Sequence, residues 1–127
     1  MKYLNIIIEN SIANICLKRS PINAFSIDFL NEILAALKEV NEKKKVLAIM
    51  ISSSIPNIFC AGLDLDLLID KPIVEVRKFL ELLYIKLWDT QYNMSKPTIA
   101  AIDGAARCGG MTLAISCDII IASDKAS

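Results

Sequence analysis

Between Thr98 and Ala122 the chain reads TIAAIDGAARCGGMTLAISCDIIIA, and this stretch restricts the fold more than any other. An apolar run, Thr98–Ile102, follows Pro97 and stops at Asp103-Gly104, the pattern of a buried strand closed by a turn. A glycine pair, Gly109-Gly110, then precedes a small-residue helical pattern over 111–117, and a second apolar run, Ile119–Ala122, follows it. Strand, glycine turn, helix and strand form a crossover unit of a mostly parallel sheet, so the fold class is α/β. Glycines at the mouth of a helix let a ligand approach the backbone closely. The first amides of a helix have no partner inside it, and the helix dipole there favours negative charge. Such a turn can hold an anion, or a carbonyl oxygen that is gaining charge. The same glycine pair also serves a helix that merely packs tightly on its sheet, and at this point both readings stand.

The rest of the chain supplies the neighbours of that unit. Leu4–Glu9 and residues 13–18 are β-rich runs separated by Asn10-Ser11, which predicts a hairpin. Ser26 is placed as an N-cap, with Asp28 in the first turn. Ile27, Leu30, Ile33, Leu34, Leu37 and Val40 recur at helical spacing and predict an amphipathic helix over 27–44. Its end carries Lys43-Lys44-Lys45, a solvated cluster suited to the C-terminal dipole. Residues 46–52 read as a buried strand and 53–61 as a loop. Gly62 permits a backbone conformation that other residues resist. Asp64 is expected to cap a short helical turn reaching Leu68. Pro72 suits the first turn of the next helix, whose buried stripe is expected at Ile73, Val76, Phe79, Leu80, Leu83 and Leu87, ending near Tyr92. Trp88, Tyr84 and Met94 read as core or interface residues.

Composition matters mainly for what it excludes. The 127 residues suffice for one domain with a real core, and 54% hydrophobic content is more than a chain this short readily covers alone. Fourteen basic and fourteen acidic residues cancel, which leaves no footprint for nucleic acid or an anionic membrane surface. No apolar run reaches membrane-spanning length, and the start lacks a signal-peptide pattern. Cys16, Cys60, Cys108 and Cys117 form no C-x-x-C pair and read as free thiols in a reducing, cytoplasmic setting. There is no histidine, which removes Ser-His-Asp and Cys-His nucleophile activation from this chain, and histidine metal sites with it.

Two strand-to-helix turns, at Gly62 and Gly109, therefore carry the functional expectation. They follow strands expected to be neighbours in one sheet, and ligands of open α/β sheets collect at the carboxyl ends of strands. Two backbone amides aimed at one point make an oxyanion hole, each donor being worth about 3 kcal/mol of transition-state stabilisation. Backbone donors need no particular side chain, so a chain without histidine can still stabilise an enolate.

Asn23-Ala24-Phe25-Ser26, then Phe59-Cys60-Ala61-Gly62-Leu63-Asp64-Leu65, then Pro97 to Gly104, Gly109-Gly110 and Cys117-Asp118 are similar, in order and spacing, to the enoyl-CoA hydratase/isomerase (crotonase) superfamily. The likeness runs over essentially the whole chain. It implies a ββα spiral core, of which residues 1–127 would be the N-terminal portion of a longer domain, cut before its C-terminal part. It implies backbone oxyanion donors at Leu63 and Gly109, and a coenzyme A adenine pocket near Ala24, Ala61, Asp64 and Leu65. Coenzyme A would enter only as part of an acyl-CoA or carrier-bound thioester substrate, with no separate cofactor and no metal. A homo-oligomer, trimer or hexamer, is the implied assembly.

One position departs from the hydratase pattern. Thr112 stands where hydratases carry a glutamate that helps activate water, and a threonine hydroxyl is no general base near neutral pH. The Ala61-to-Leu65 wording and Leu87-Trp88 look more like the Δ3,Δ2-enoyl-CoA isomerases, which use one downstream glutamate alone. Isomerisation is thus the expected activity. A hydratase, dehydratase or decarboxylase of the same superfamily is the alternative, as is a non-catalytic fragment that binds acyl-CoA or a partner chain.

Overall fold

A computed structural model describes residues 1–127. Strands β1 (Leu4–Glu9) and β2 (Ile12–Leu17) form the expected antiparallel hairpin. Its two-residue turn takes positive φ at both Asn10 (49°) and Ser11 (64°), the backbone that lets a tight turn follow the twist of its strands. Helix α1 spans Ile27–Glu42, and Ser26 caps it by accepting the Phe29 N–H at 3.1 Å. The helix buries Phe29, Leu30, Ile33, Ala36, Leu37 and Val40, one stripe of helical period. Its C-terminal carbonyls are served from a distance: Lys96 Nζ donates to Val40 O (2.9 Å) and Lys43 O (2.6 Å). Lys43 itself pairs with Glu39.

Strand β3 (Ala48–Ser53) lies parallel to β2, β5 (Thr98–Ile102) parallel to β3, and β7 (Ile119–Ala122) parallel to β5. The sheet order is β1-β2-β3-β5-β7. Ala13, Ile15 and Leu17 of β2, Ile49 and Ile51 of β3, and Ala100 and Ile102 of β5 enter one core with the α1 stripe. Strand β7 differs: all four of its residues are exposed. Asp118, just before it, holds Thr98 through the backbone N–H (2.7 Å) and the hydroxyl (3.1 Å), which fixes where β7 joins β5.

Residues 53–61, expected to be a loop, contain a strand instead: β4 (Asn57–Cys60) pairs parallel with β6 (Gly104–Ala106) in a separate two-stranded sheet. Gly104 is therefore more than the turn residue it resembles. A Cβ there would run into the backbone of Asn57 and Ile58, so the close approach of the two strands requires glycine.

One long helical segment follows, built as α2 (Ile73–Glu81), a π-helical stretch (Leu82–Leu87) and α3 (Trp88–Tyr92). Its buried positions are Phe79, Leu83, Leu87 and Gln91, spaced four apart. A regular α-helix drifts about 40° at each such step, and the wider π turn takes up the drift. The expected stripe is corrected at its start, because Ile73 is 83% exposed. Trp88 (52%) and Tyr84 (41%) are exposed as well, so neither is a core residue. Helix α4 (Gly109–Ile115) and a 3-10 turn (Leu65–Leu67) complete the chain.

Candidate functional site: two abutting glycine turns

The two small-sheet strands lead directly into the two glycine turns. β4 ends at Cys60, two residues before Gly62, and β6 ends at Ala106, three before Gly109. Because β4 and β6 are parallel neighbours, both turns emerge at the same end of the same sheet. The strands expected to be neighbours, β3 and β5, do pair, but the turns are led into by β4 and β6 of the short second sheet, which the sequence did not mark.

The first turn is built against the segment before α1. Phe25 and Leu63 form an isolated parallel bridge. The Phe25 N–H donates to Gly62 O (2.6 Å), and the Asp64 N–H donates to Phe25 O (3.0 Å). In a parallel pair the residue between two bonded neighbours turns its own amide to the opposite side. Leu63 is that residue, and its N–H has no acceptor within the protein. Side chains fasten the same junction. Asn23, wholly buried, donates from Nδ2 to Phe59 O (2.9 Å) and Ser53 Oγ (2.8 Å). Cys60 Sγ donates to Asn23 O (3.1 Å) and accepts the Gly62 N–H (3.5 Å). Burial pushes the Cys60 thiol up to about 12, so it stays protonated and keeps its donor.

The second turn places Cys108 at φ 46° and starts α4 at Gly109. As the first residue of α4, Gly109 has no intrahelical acceptor, and its N–H also has none elsewhere in the protein. Gly62 takes φ +95°, and a Cβ on it would lie 2.8 Å from Gly109 N and 2.9 Å from Arg107 O. A Cβ on Gly109 would in turn meet Leu83 Cδ2 at 2.9 Å and Gly62 Cα at 3.4 Å. The turns abut with no room for a side chain between them. Gly110 packs against the Cys60 carbonyl, while the Arg107 N–H donates to that oxygen at 2.9 Å. The structure thus brings the Leu63 and Gly109 turns together with both amides unbonded.

The residues expected near a nucleotide are spread along the first turn. Ala24 is buried, Ala61 and Asp64 are half-buried, and Leu65 is 65% exposed. Asp64 stands at the expected N-cap position of the 3-10 turn, but its side chain makes no cap bond there. Its carboxylate instead accepts from Arg19 Nη2 at 2.9 Å. Sequence reasoning missed Arg19, because a partner 45 positions away leaves no local trace. A 260 Å³ cleft lies between the start of α1 and the 3-10 turn, lined by Asp28, Leu67, Leu68, Lys71, Glu75 and Phe79 among others. A 430 Å³ cleft at the carboxyl ends of β3 and β5, reaching Asp103, lies apart from both glycine turns. The Thr112 side chain, on the first turn of α4, points back toward Cys108 O at 3.5 Å. No group of three or more acidic or cysteine side chains is arranged to hold a metal ion, and no helix is long and apolar enough to cross a membrane.

A family model for enoyl-CoA hydratase/isomerase matches residues 7–127. The chain belongs to that family. Methylglutaconyl-CoA hydratase, mitochondrial, of Mus musculus is 40% identical over 104 residues, 82% of this chain and 33% of the relative. Enoyl-CoA delta isomerase 1, mitochondrial, of Rattus norvegicus is 31% identical over 117 residues, 92% of this chain and 40% of the relative. The crystal structure of a probable enoyl-CoA hydratase from Mycobacterium smegmatis superposes with a TM-score of 0.88 at 31% identity, covering 99% of this chain and 51% of that one. The α/β architecture is therefore the family's own. The chain spans from a third to about half of the length of these relatives. They include hydratases and an isomerase, so membership of the family leaves the reaction open.

Proposed function

We propose that this chain supplies the oxyanion hole of an enzyme acting on acyl-CoA thioesters, with the N–H groups of Leu63 and Gly109 as its donors. The observation that carries this reading is the contact of the Gly62 and Gly109 turns, each beside an amide that no protein group accepts. A thioester oxygen seated there gains negative charge when a proton leaves the neighbouring carbon, and fixed donors stabilise that charge without reorganising. Ala24, Ala61 and Leu65 are proposed to border the coenzyme A nucleotide. Asp64 serves the same region with its backbone and with the carboxylate edge that Arg19 leaves free.

Within this class we favour isomerisation. A base removes a proton from carbon two of a 3-enoyl thioester, the dienolate is held at its oxygen, and the proton returns at carbon four. One base suffices, which suits a protein with Thr112 in place of a second carboxylate. The base is assigned to a carboxylate outside residues 1–127, because the chain has no histidine and Asp64 is engaged by Arg19. Hydration of a 2-enoyl thioester is the second reading, favoured by the 40% identity to a hydratase. The four free thiols fit a reducing compartment, proposed as cytoplasmic, and an oligomeric assembly is proposed with it.

The test replaces one amide by an ester, inserting leucic acid for Leu63 in the full-length protein. Loss of that single donor is expected to lower kcat for the thioester reaction by about 10²–10³-fold. An ester-bearing protein with the parent kcat would overturn the assignment.

A further inference from the structure

We propose that Arg19 is a positioning residue for the Leu63 amide, acting by locking the register of the Phe25–Leu63 bridge. The inference rests on the oxyanion reading above. The Arg19 guanidinium donates from Nη1 to Ala24 O (2.7 Å) and from Nη2 to Asp64 Oδ2 (2.9 Å). Ala24 directly precedes Phe25, and Asp64 directly follows Leu63, so one rigid group grips both strands of the bridge beside its only pair. That bridge has two backbone hydrogen bonds and no flanking ladder. A slip of one residue along it would exchange bonded for unbonded amides, turning the Leu63 N–H inward and another outward.

Arg19 is itself held on every side. Its backbone N–H donates to Asn23 Oδ1 (2.7 Å), its carbonyl accepts the Asn23 N–H (2.7 Å), and its guanidinium lies over the Tyr3 ring at 5.6 Å. The Arg19 and Asp64 side chains are 19% and 20% exposed, which shields the pair from full screening by water. A planar guanidinium can make both bonds at once in fixed directions, whereas an ammonium offers a single point charge on a flexible stem. The grip therefore depends on arginine, beyond its charge.

The experiment uses the full-length protein with Arg19→Ala, Arg19→Lys and Asp64→Asn, and reads three quantities. These are kcat and KM for the enoyl-CoA reaction, and the infrared shift of a bound thioester carrying a 13C-labelled carbonyl. The shift reports hydrogen bonding to the carbonyl oxygen, which a merely stabilising role leaves unchanged. Arg19→Ala is expected to lower kcat by about tenfold or more, with KM within about threefold of the parent and a smaller carbonyl shift. Arg19→Lys is expected to restore less than half of the lost shift, and Asp64→Asn, which keeps an acceptor for Nη2, to retain most of it. If Arg19→Ala does not fold, the other two variants decide by the same readouts. A parent-like shift and kcat in Arg19→Ala, or full rescue by lysine, overturns the proposal while the oxyanion reading stands. A parent protein with no carbonyl shift overturns both.

Discussion

Gly62→Ala perturbs the contact on which the candidate site depends. At φ +95° an L-residue is held in a sparsely populated region, costing about 1–3 kcal/mol. The added Cβ would also sit 2.8 Å from Gly109 N, 2.9 Å from Arg107 O and 3.0 Å from Cys108 Cβ. None of these is the far end of a flexible side chain, so the second turn must shift as a body. Strain and displacement together are expected to cost about 2–4 kcal/mol, lowering the melting temperature of the full-length protein by roughly 5–15 °C. The same shift moves the Gly109 N–H from its partner amide, and the loss of one aligned donor is expected to lower kcat by about 10²–10³-fold. Differential scanning calorimetry reads the first effect. Steady-state kinetics with 3-enoyl-CoA, run well below the melting temperature, read the second. A variant melting within about 2 °C of the parent refutes the strain argument. A destabilised variant with the parent kcat refutes the role of the turns in the hole and leaves the strain argument intact.

Further outcomes are expected. The full-length protein isomerises 3-enoyl-CoA faster than it hydrates 2-enoyl-CoA, and Thr112→Glu narrows that ratio; hydration dominating in the unmodified protein refutes the isomerase assignment. Burial raises the Cys60 thiol to about 12 and Cys117 to about 11 from an ordinary 9.0. Between pH 9 and those values the unfolded chain releases protons that the folded chain keeps. The stability they contribute is thus fully present below pH 9 and is lost as pH climbs through the folded values. Urea melts from pH 8.5 to 10.5 should show a shallower decline for Cys117→Ala, and an unchanged slope contradicts this account. Lys96→Met removes the charged donor from two α1 carbonyls and is expected to cost about 1–2 kcal/mol in urea unfolding, against near zero for Lys44→Met on the exposed cluster. Residues 1–127 produced alone are expected to self-associate through the exposed isoleucines of β7 and to show no enoyl-CoA turnover; a monomer by sedimentation velocity with measurable activity refutes both expectations.

Local signals carried most of the architecture. Asn10-Ser11, the Ser26 cap, Pro97 before β5 and the run Ile119–Ala122 each state their structure within a few neighbouring residues, and each stands where the sequence places it. The two shortest strands are different. β4 and β6 are four and three residues long, and neither has a periodic pattern of its own. Their pairing is made by Gly104 lying against Asn57, a contact between parts of the chain 47 positions apart, so each alone reads as loop or turn. The glycine turns were legible because glycine at a strand-to-helix junction has a physical reason. What fastens them was not, since Arg19, Asn23 and the Cys60 thiol act through bonds that span from 5 to 45 positions. Lys96 on the carbonyls of α1 belongs to the same class: the sequence points to Lys43-Lys44-Lys45 as the cations at this helix end, whereas the donor comes from 53 and 56 positions away.

The π turn at Leu82–Leu87 makes helix phase a property of the site. Phe79 and Gln91 are both buried although they are 12 positions apart, an interval that would leave them about 120° out of phase on a regular α-helix. The wide turn between them lets each half of the segment dock independently, and Leu83, within it, is the side chain that fills the space above Gly109. Making the turn regular at the same length would rotate one half against the other by about 120°, whereas removing one residue between 82 and 87 would leave the two positions about 20° out of phase and keep both faces. A regular helix of the same length would leave both glycine turns in the sequence, yet it would move Leu83 from its place beside Gly109. The wide turn therefore sets what packs against Gly109, alongside the identity of the glycines.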